Sequence, residues 1–402
     1  MKILVANLGS TSFKYRLFDV DATPERELAR GGVERIGSGA SRSFVAVGDR
    51  QGENVEDVPD HGVALDRCLA HLSDPEIGCL TSASDVAAVG FKAVHGGRIS
   101  GVRRVDADVL AAMQEVADVA PAHNPPYVAA MRLLGERFPD IPLIAAFETG
   151  FHETIPEANR LYAVPWEWAE RFGVRRWGFH GASHRYIAER MSELLGRSDA
   201  RVISCHLGGS SSLCAIRAGR SVATSMGMSP QSGLPQNNRA GDFDPFALRL
   251  VMRATGKSLD EVLEDLAERS GLLGLSGASG DVRDLEAISR KGHERVWRAL
   301  QVYIASVRHY LGAYFLELGG ADAVVFTGGI GENSPFIRER VCRNLDWFGI
   351  GIDEDRNAKA KGETVITSKE SWVTVWTIPT NEELIVARQV KECLNAAESG
   401  GA

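Results

Sequence analysis

Ile3-Leu4-Val5-Ala6-Asn7-Leu8-Gly9-Ser10-Thr11-Ser12-Phe13 and Val202-Ile203-Ser204-Cys205-His206-Leu207-Gly208-Gly209-Ser210-Ser211-Ser212-Leu213 are two versions of one phrase. Each is an apolar strand, a polar or ionisable residue, a Gly/Ser turn and a second strand. Glycine lets a backbone approach a ligand closely, and consecutive turn N–H groups with hydroxyls form a concave anion site. Gly/Ser turns also close ordinary hairpins. The repeat is therefore read in two ways, as a pair of unremarkable hairpins or as two related domains that serve one polyphosphate.

Outward from these hairpins, the chain alternates strands and helices. Strands are expected at 2–6, 13–18, 86–94 and 142–147, and helices at 64–73, 107–117 and 126–138. Residues 34–60 are rich in Gly, Ser and Asp and read as a peripheral hairpin or loop. Ala145-Ala146-Phe147 runs to Glu148 and Thr149-Gly150, a strand end and a boundary. In the second half, helices are expected at 184–196, 245–255, 258–270 and 294–319, and strands at 201–206, 212–216, 323–327 and 372–377. Ser258 with Glu261 is a capping-box pattern. The 294–319 helix is apolar on more than one face, which suits a central buried helix or part of a dimer interface. Such alternation predicts an α/β fold with helix-covered sheets.

The 402 residues suffice for about two domains with proper cores. Hydrophobic and charged fractions of 44% and 24% are those of globular chains. A net charge of −8 argues against non-specific nucleic-acid binding. No apolar run approaches the roughly 20 residues of a membrane span, and the first strand begins too early for a leader peptide. The six cysteines are scattered without C-x-x-C or metal spacing, which fits a reducing cytoplasm.

Several phrases carry possible chemistry. Gly329-Ile330-Gly331-Glu332-Asn333 follows the apolar strand Val324-Val325-Phe326 and precedes Ser334-Pro335, an N-cap and first helical residue. It reads as a glycine loop for a phosphate or as a tight strand-to-helix turn. Asp281-Val282-Arg283 closes a second glycine-rich loop, where Asp281 and Arg283 either contact a ribose or base or Asp281 caps the next helix. Thr380 and Glu383 form a capping-box pattern, leaving Glu382 to hold Mg²⁺ with Asn7. His180 and His184 are four apart, but no H-E-x-x-H and no third ligand accompany them, so zinc is not the reading. His180, between Gly178-Phe179 and Gly181, is better placed for a ligand than His184. Asp244-Pro245 reads as an N-cap, whereas Arg239 has no local task and suits a phosphate clamp.

Together these phrases resemble the acetate kinase family, within the actin, sugar-kinase and heat-shock-ATPase superfamily. The resemblance runs from about residue 2 to about residue 392. It rests on Asn7–Lys14, Val94-His95-Gly96-Gly97, His123-Asn124-Pro125, Phe151-His152, Gly178-Phe179-His180-Gly181, His206-Leu207-Gly208, Arg239 with Gly241-Asp242, Gly329–Asn333 and Thr380–Leu384. It implies a two-domain clamshell of duplicated ribonuclease H-like, actin-like ATPase topology. The first domain would hold residues 1–150 with 381–402, and the second 151–380, with the active site between them and a homodimer through the second domain. It implies reversible phosphoryl transfer from ATP to a short-chain carboxylate, giving an acyl phosphate and ADP. Asn7 and Glu382 would hold Mg²⁺ (or Mn²⁺). Lys14, His206, Leu207, Gly208, Gly209, Ser210, Asp281, Val282, Arg283 and Gly329–Asn333 (Gly329, Ile330, Gly331, Glu332, Asn333) would line the nucleotide site. Lys92, Val94, His123 and Phe179 would surround the carboxylate, and Glu148, His180 and Arg239 would be catalytic.

The chain departs from the family pattern at informative places. Lys92 stands where the family has a carboxylate-gripping arginine, Glu148 where it has aspartate, and Ala122 where it has a bulky aliphatic residue. The family's glycine-asparagine-glycine hairpin is here Gly208-Gly209-Ser210, and Leu234-Pro235-Gln236-Asn237-Asn238 before Arg239 is unusual. These changes leave room for a propionate- or butyrate-type kinase with a widened pocket, for a catalytically weak nucleotide-binding regulator, and for pyrophosphate as donor. The Asp281–Arg283 and Gly329–Asn333 loops favour a nucleotide.

Overall fold

The structure, a computed structural model, describes residues 1–9, 11–120 and 123–399. Ser10, Pro121 and Ala122 lie outside the described residues, as does any reading built on Ala122. The chain separates into two compact units, one of Met1–Gly150 with the residues from Asn381 onward, the other of Phe151–Thr380.

The first unit contains β1 (Lys2–Gly9), β2 (Ser12–Asp19), β3 (Arg26–Glu34), β4 (Ser41–Val47), β5 (Arg50–Glu56), β6 (Val86–Ala93), β7 (Val102–Arg104) and β8 (Leu143–Phe147). They form one sheet of order β5-β4-β3-β2-β1-β6-β8-β7. The second contains β9 (Arg201–Leu207), β10 (Ser211–Arg217), β11 (Arg220–Thr224), β12 (Ala323–Thr327), β13 (Thr364–Val365) and β14 (Thr374–Thr377), in the order β11-β10-β9-β12-β14-β13.

The two sheets repeat one topology. In each, the first strand pairs antiparallel with the second and parallel with a strand that arrives through helices; that strand pairs parallel with the next one, beyond which lies an antiparallel edge. The duplicated topology that the resemblance implies is present. The central parallel strands β8 and β12 are buried along their whole length, as parallel strands covered on both faces must be.

Strand alternation divides each core in two. In the first unit, Leu4, Ala6 and Leu8 face the helices Asn124–Arg137 and His61–Leu72. Ile3, Val5, Phe18, Ala88, Ile144 and Ala146 face Val386, Ala387 and Val390 of the C-terminal helix Glu382–Ser399. Gly90 permits that helix to seat, since a Cβ there would lie 2.7 Å from a Val390 methyl group. In the second unit, Ile203, Cys205, Leu207 and Leu213 face the helix Glu294–Glu317, and Val202, Cys214, Ile216 and Val325 face Ile187, Ala188 and Met191 of the helix Gly181–Leu195. Tyr303, Val307 and Leu311 bury one side of the 294–317 helix, while Val302 and Leu316 remain exposed.

Local expectations hold and fail for identifiable reasons. The capping box of Ser258 and Glu261 is present. Residues 34–60 supply the edge hairpin β4–β5. Asp244 bonds the Phe246 N–H, but the helix begins at Ala247. The cap of the last helix is Asn381, whose Oδ1 accepts the Leu384 N–H at 3.2 Å, and not Thr380. The expected Gly329–Asn333 loop is a helical turn, Gly328–Asn333, whose last carbonyls are capped from outside. Arg338, fully buried, donates to the carbonyls of Gly331 at 2.9 Å and Glu332 at 2.8 Å, and to Asn357. Helices need such donors because their last carbonyls have no internal partner.

Arg338→Leu therefore removes the donor to three backbone carbonyls, of Gly331, Glu332 and Asn357, and to Asn357 Oδ1. It is expected to cost about 3 kcal/mol in unfolding free energy, measured by urea denaturation.

Candidate active site

Register brings the predicted polar residues together within the first unit. Asn7 continues the Ile3–Val5 face of β1, and its cross-strand partner is Lys14. On the same face, Lys92 continues the Ala88–Gly90 row and Glu148 follows Ile144 and Ala146. All four lie past the apolar stretch covered by the C-terminal helix, at the end of that face where Glu382 begins the helix. Open α/β sheets place ligand sites outside the carboxyl ends of their parallel strands.

The charges here have partners. The Lys92 Nζ donates to Glu382 Oε2 at 2.7 Å. Burial pushes the lysine pKa down, but the Glu382 and Glu148 carboxylates outweigh it and hold the ammonium above its ordinary value. Sequence reasoning gave Lys92 to a substrate carboxylate and Glu382 to a metal; the fold bonds them to each other. Lys14 pairs with Glu34 at 3.3 Å on the exposed side of β2, a surface pair of small energetic value. Asn7 Oδ1 accepts the Tyr127 hydroxyl at 3.3 Å, and that hydroxyl accepts the Leu8 N–H at 3.2 Å. Tyr127 was missed, although it sits one turn into the helix that His123-Asn124-Pro125 opens. Asn124, buried, donates to the carbonyls of His95 and Met113, each at 2.8 Å. It ties the His123 turn to the loop after Val94, so the asparagine of that motif does structural work.

The second unit holds a histidine–serine cluster. Ser204 and His206 continue the Val202 face of β9, and Ser212 is the cross-strand partner of His206. The helix Gly181–Leu195 covers this face and is preceded by His180, which adopts a left-handed conformation with φ 56°. Such a conformation is costly for a non-glycine residue and marks a candidate functional position. His180 Nδ1 and His184 Nε2 both meet the Ser212 hydroxyl, at 2.8 and 2.9 Å. His206 Nδ1 meets the Ser183 hydroxyl at 2.8 Å, and the rings of His180 and His206 stack at 4.2 Å. His184, fully buried, also meets Ser204, and burial holds its pKa well below the ordinary value. The serine alternation on β9 and β10 is the signal by which this cluster could have been read.

Behind the cluster, His152 fixes Phe179. Its Nε2 lies 2.9 Å from the Phe179 carbonyl and its Nδ1 2.9 Å from the Ser221 hydroxyl. A carbonyl only accepts, so Nε2 carries the hydrogen and Nδ1 accepts from Ser221. Gly178 is required here, with φ 73° and the His152 ring 2.6 Å from where a Cβ would stand.

Arg239 is half-buried and donates to Gln236 Oε1 at 3.2 Å. Burial lowers its pKa, and among the described residues no carboxylate pairs with it. In the same unit, a cavity of about 360 Å³ is lined by Gly208, Gly209, Asp281, Val282, Arg283, Gly329, Ile330 and Asn333, all predicted, and by Asn237, Glu286 and Ser334; Arg239 is not among its lining residues. Leu207 is instead buried in the core, and His206 belongs to the histidine cluster. Ser210 and Gly331 do not line the cavity. Glu332 is partly buried, which raises its pKa against the backbone N–H groups of Gly328 and Thr380. Asp281 caps the helix, accepting the Arg283 N–H, and it also accepts the Arg283 guanidinium beside the cavity.

The buried histidines make stability depend on pH. His152 takes a proton near its ordinary 6.5 when unfolded, but burial lowers the folded value to about 4. Its contribution is complete above pH 6.5 and is lost as pH falls towards 4, by about 3 kcal/mol. Unfolding free energies measured from pH 7.5 to 4 are expected to fall more steeply for the wild type than for His152→Gln.

Comparison with known proteins agrees with this geometry. The sequence pattern of the Acetokinase family matches residues 2–388. The acetate kinase of Natranaerobius thermophilus is 42% identical over 98% of this chain and 100% of its own. The crystal structure of Porphyromonas gingivalis acetate kinase superposes with a TM-score of 0.88 at 37% identity, covering 98% of this chain and 99% of that one. A propionate kinase from Francisella tularensis gives 0.88 at 31% identity, covering 96% and 98%. The chain belongs to the acetokinase family and is an ATP-dependent carboxylate kinase, a phosphotransferase with a carboxyl group as acceptor.

Proposed function

We propose that this chain phosphorylates acetate or a slightly larger short-chain acid with the γ-phosphoryl group of ATP, reversibly, and that Arg239 and His180 stabilise the group in transfer. The observation that carries the assignment is the half-buried Arg239 guanidinium with no carboxylate partner among the described residues. In-line phosphoryl transfer calls for positioning and for cationic donors at the equatorial oxygens, not for a covalent intermediate. An arginine already desolvated and not neutralised meets that need without reorganisation.

His180 is the second donor. Ser212 has one hydroxyl hydrogen to share between His180 and His184, so it orients the His180 ring, which the left-handed backbone presents ahead of its helix. The cavity at Gly208–Gly209, Asp281–Arg283 and Gly329–Asn333 receives the nucleotide. Asn7 and Glu382 supply oxygen donors suited to Mg²⁺, which binds through one or two protein ligands and keeps water and phosphate oxygens. Among the described residues no group of three His, Cys, Asp or Glu forms a cage of its own, and that donor set fits an ion that arrives with ATP. When bound, Mg²⁺ neutralises phosphate charge. Glu382 must then share its carboxylate with Lys92, and Lys92, Val94, His123 and Glu148 of the first unit are the residues assigned to the acceptor, with Phe179 a candidate in the second.

The assembly and compartment are also proposals. The helix Ala247–Thr255 buries none of its residues, and Phe246, Leu250, Leu259 and Leu263 are exposed in and beside it. An apolar patch of this kind marks an interface, which supports a homodimer through the second unit. No helix among the described residues is long and apolar enough to cross a membrane. All six cysteines are free, which supports the reducing cytoplasm as its place.

A hydroxamate assay over C2 to C5 acids tests the acceptor. Highest kcat/KM at acetate or propionate is expected, and no acyl phosphate from any acid would remove the reading. Arg239→Ala is expected to lower kcat about 10³-fold with little change in the KM for the acid; near-wild-type turnover excludes Arg239 from the mechanism.

A further inference from the structure

Asn237 belongs to the unusual segment before Arg239, and it stands against the turn between β9 and β10. Its N–H donates to the Gly209 carbonyl at 3.1 Å, and its own carbonyl accepts the Leu273 N–H at 2.8 Å. Those bonds fix its backbone. Its side chain lines the nucleotide cavity, and among the described residues its amide makes no hydrogen bond. A Cβ built on Gly209 would lie 3.2 Å from Asn237 Nδ2 and 3.6 Å from its Cγ. The family pattern that the chain resembles has glycine-asparagine-glycine in this hairpin, with the asparagine at the position of Gly209. Here position 209 has no side chain, and an asparagine from elsewhere in the sequence fills the adjoining space.

We propose that Asn237 is a nucleotide-binding residue in which the hairpin asparagine has been transposed: its Nδ2 donates to a phosphate oxygen of ADP or ATP beside the Gly208–Ser210 turn. The inference rests on the nucleotide reading of this cavity. An amide donor suits a phosphate oxygen, and the glycine at 209 is what leaves the amide room. Asparagine at both positions would crowd one space, because a Cβ 3.2 Å from Asn237 Nδ2 already requires the amide to shift by a few tenths of an ångström.

ADP binding measured directly by titration calorimetry on the full chain, beside a thermal melt of each variant, tests this. Asn237→Asp keeps the shape but turns the donor into an anion, so ADP is expected to bind at least tenfold more weakly with an unchanged melting temperature. Asn237→Gly is expected to lose affinity, and Gly209→Asn to lose it too by crowding. The double variant Gly209→Asn with Asn237→Gly, which restores the hairpin asparagine, is expected to return to within about threefold of wild type. Wild-type affinity in both Asn237 variants overturns the inference, as does a double variant no better than its parents. A wild-type chain that binds no ADP overturns the nucleotide reading and this inference with it.

Discussion

Side chains on a strand alternate between faces, and in both sheets that alternation is what places chemistry beside the core. Along β1, Ile3 and Val5 pack against the C-terminal helix, and the next residue on that face is Asn7. Along β9, Val202 packs against the helix Gly181–Leu195, and Ser204 and His206 follow on that face. The apolar part of each row is held by the covering helix, so the polar part is delivered to that helix's N-terminal end. A one-residue slip in either hairpin would bury the polar residues and expose the core. Apolar burial on this face therefore fixes the position of Asn7, Lys92 and Glu148 in one unit and of His206 and Ser212 in the other.

The same constraint explains why polar residues tolerate such burial. Each is matched by a donor or acceptor from the helix end or from a neighbouring strand: Lys92 by Glu382, His206 by Ser183, His184 by Ser204 and Ser212. Unmatched, they would cost several kcal/mol each. Arg239 is the contrast, a desolvated cation whose bond within the chain is to the neutral Gln236.

The two copies of the hairpin have diverged within a common frame. The first pairs Asn7 with Lys14 across the strands, and the second pairs His206 with Ser212. The glycines that follow are equally divergent, since the turn at Gly208–Gly209 is open to a side chain from residue 237. Duplication supplied the backbone, and substitutions at matched positions supplied the different chemistry.

Much of this was legible in the one-dimensional pattern. The apolar runs before Asn7 and His206, the Gly/Ser turns and the Ser258 capping box are local, and local geometry sets strand, turn and helix start from neighbouring residues alone. The sequence also determined the residue types available for phosphate and nucleotide. Only the tertiary structure decided which of them touch. Lys92 and Glu382 are far apart in the chain and become an ion pair because Gly90 lets the last helix seat on β6. The Gly328–Asn333 turn is capped by Arg338, whose guanidinium is itself held by Asn357, nineteen residues further along the chain. Asn237 reaches the cavity wall beside Gly209, 28 residues earlier in the chain. Such pairings depend on packing between segments remote in sequence, and no pattern of neighbouring residues encodes that distance.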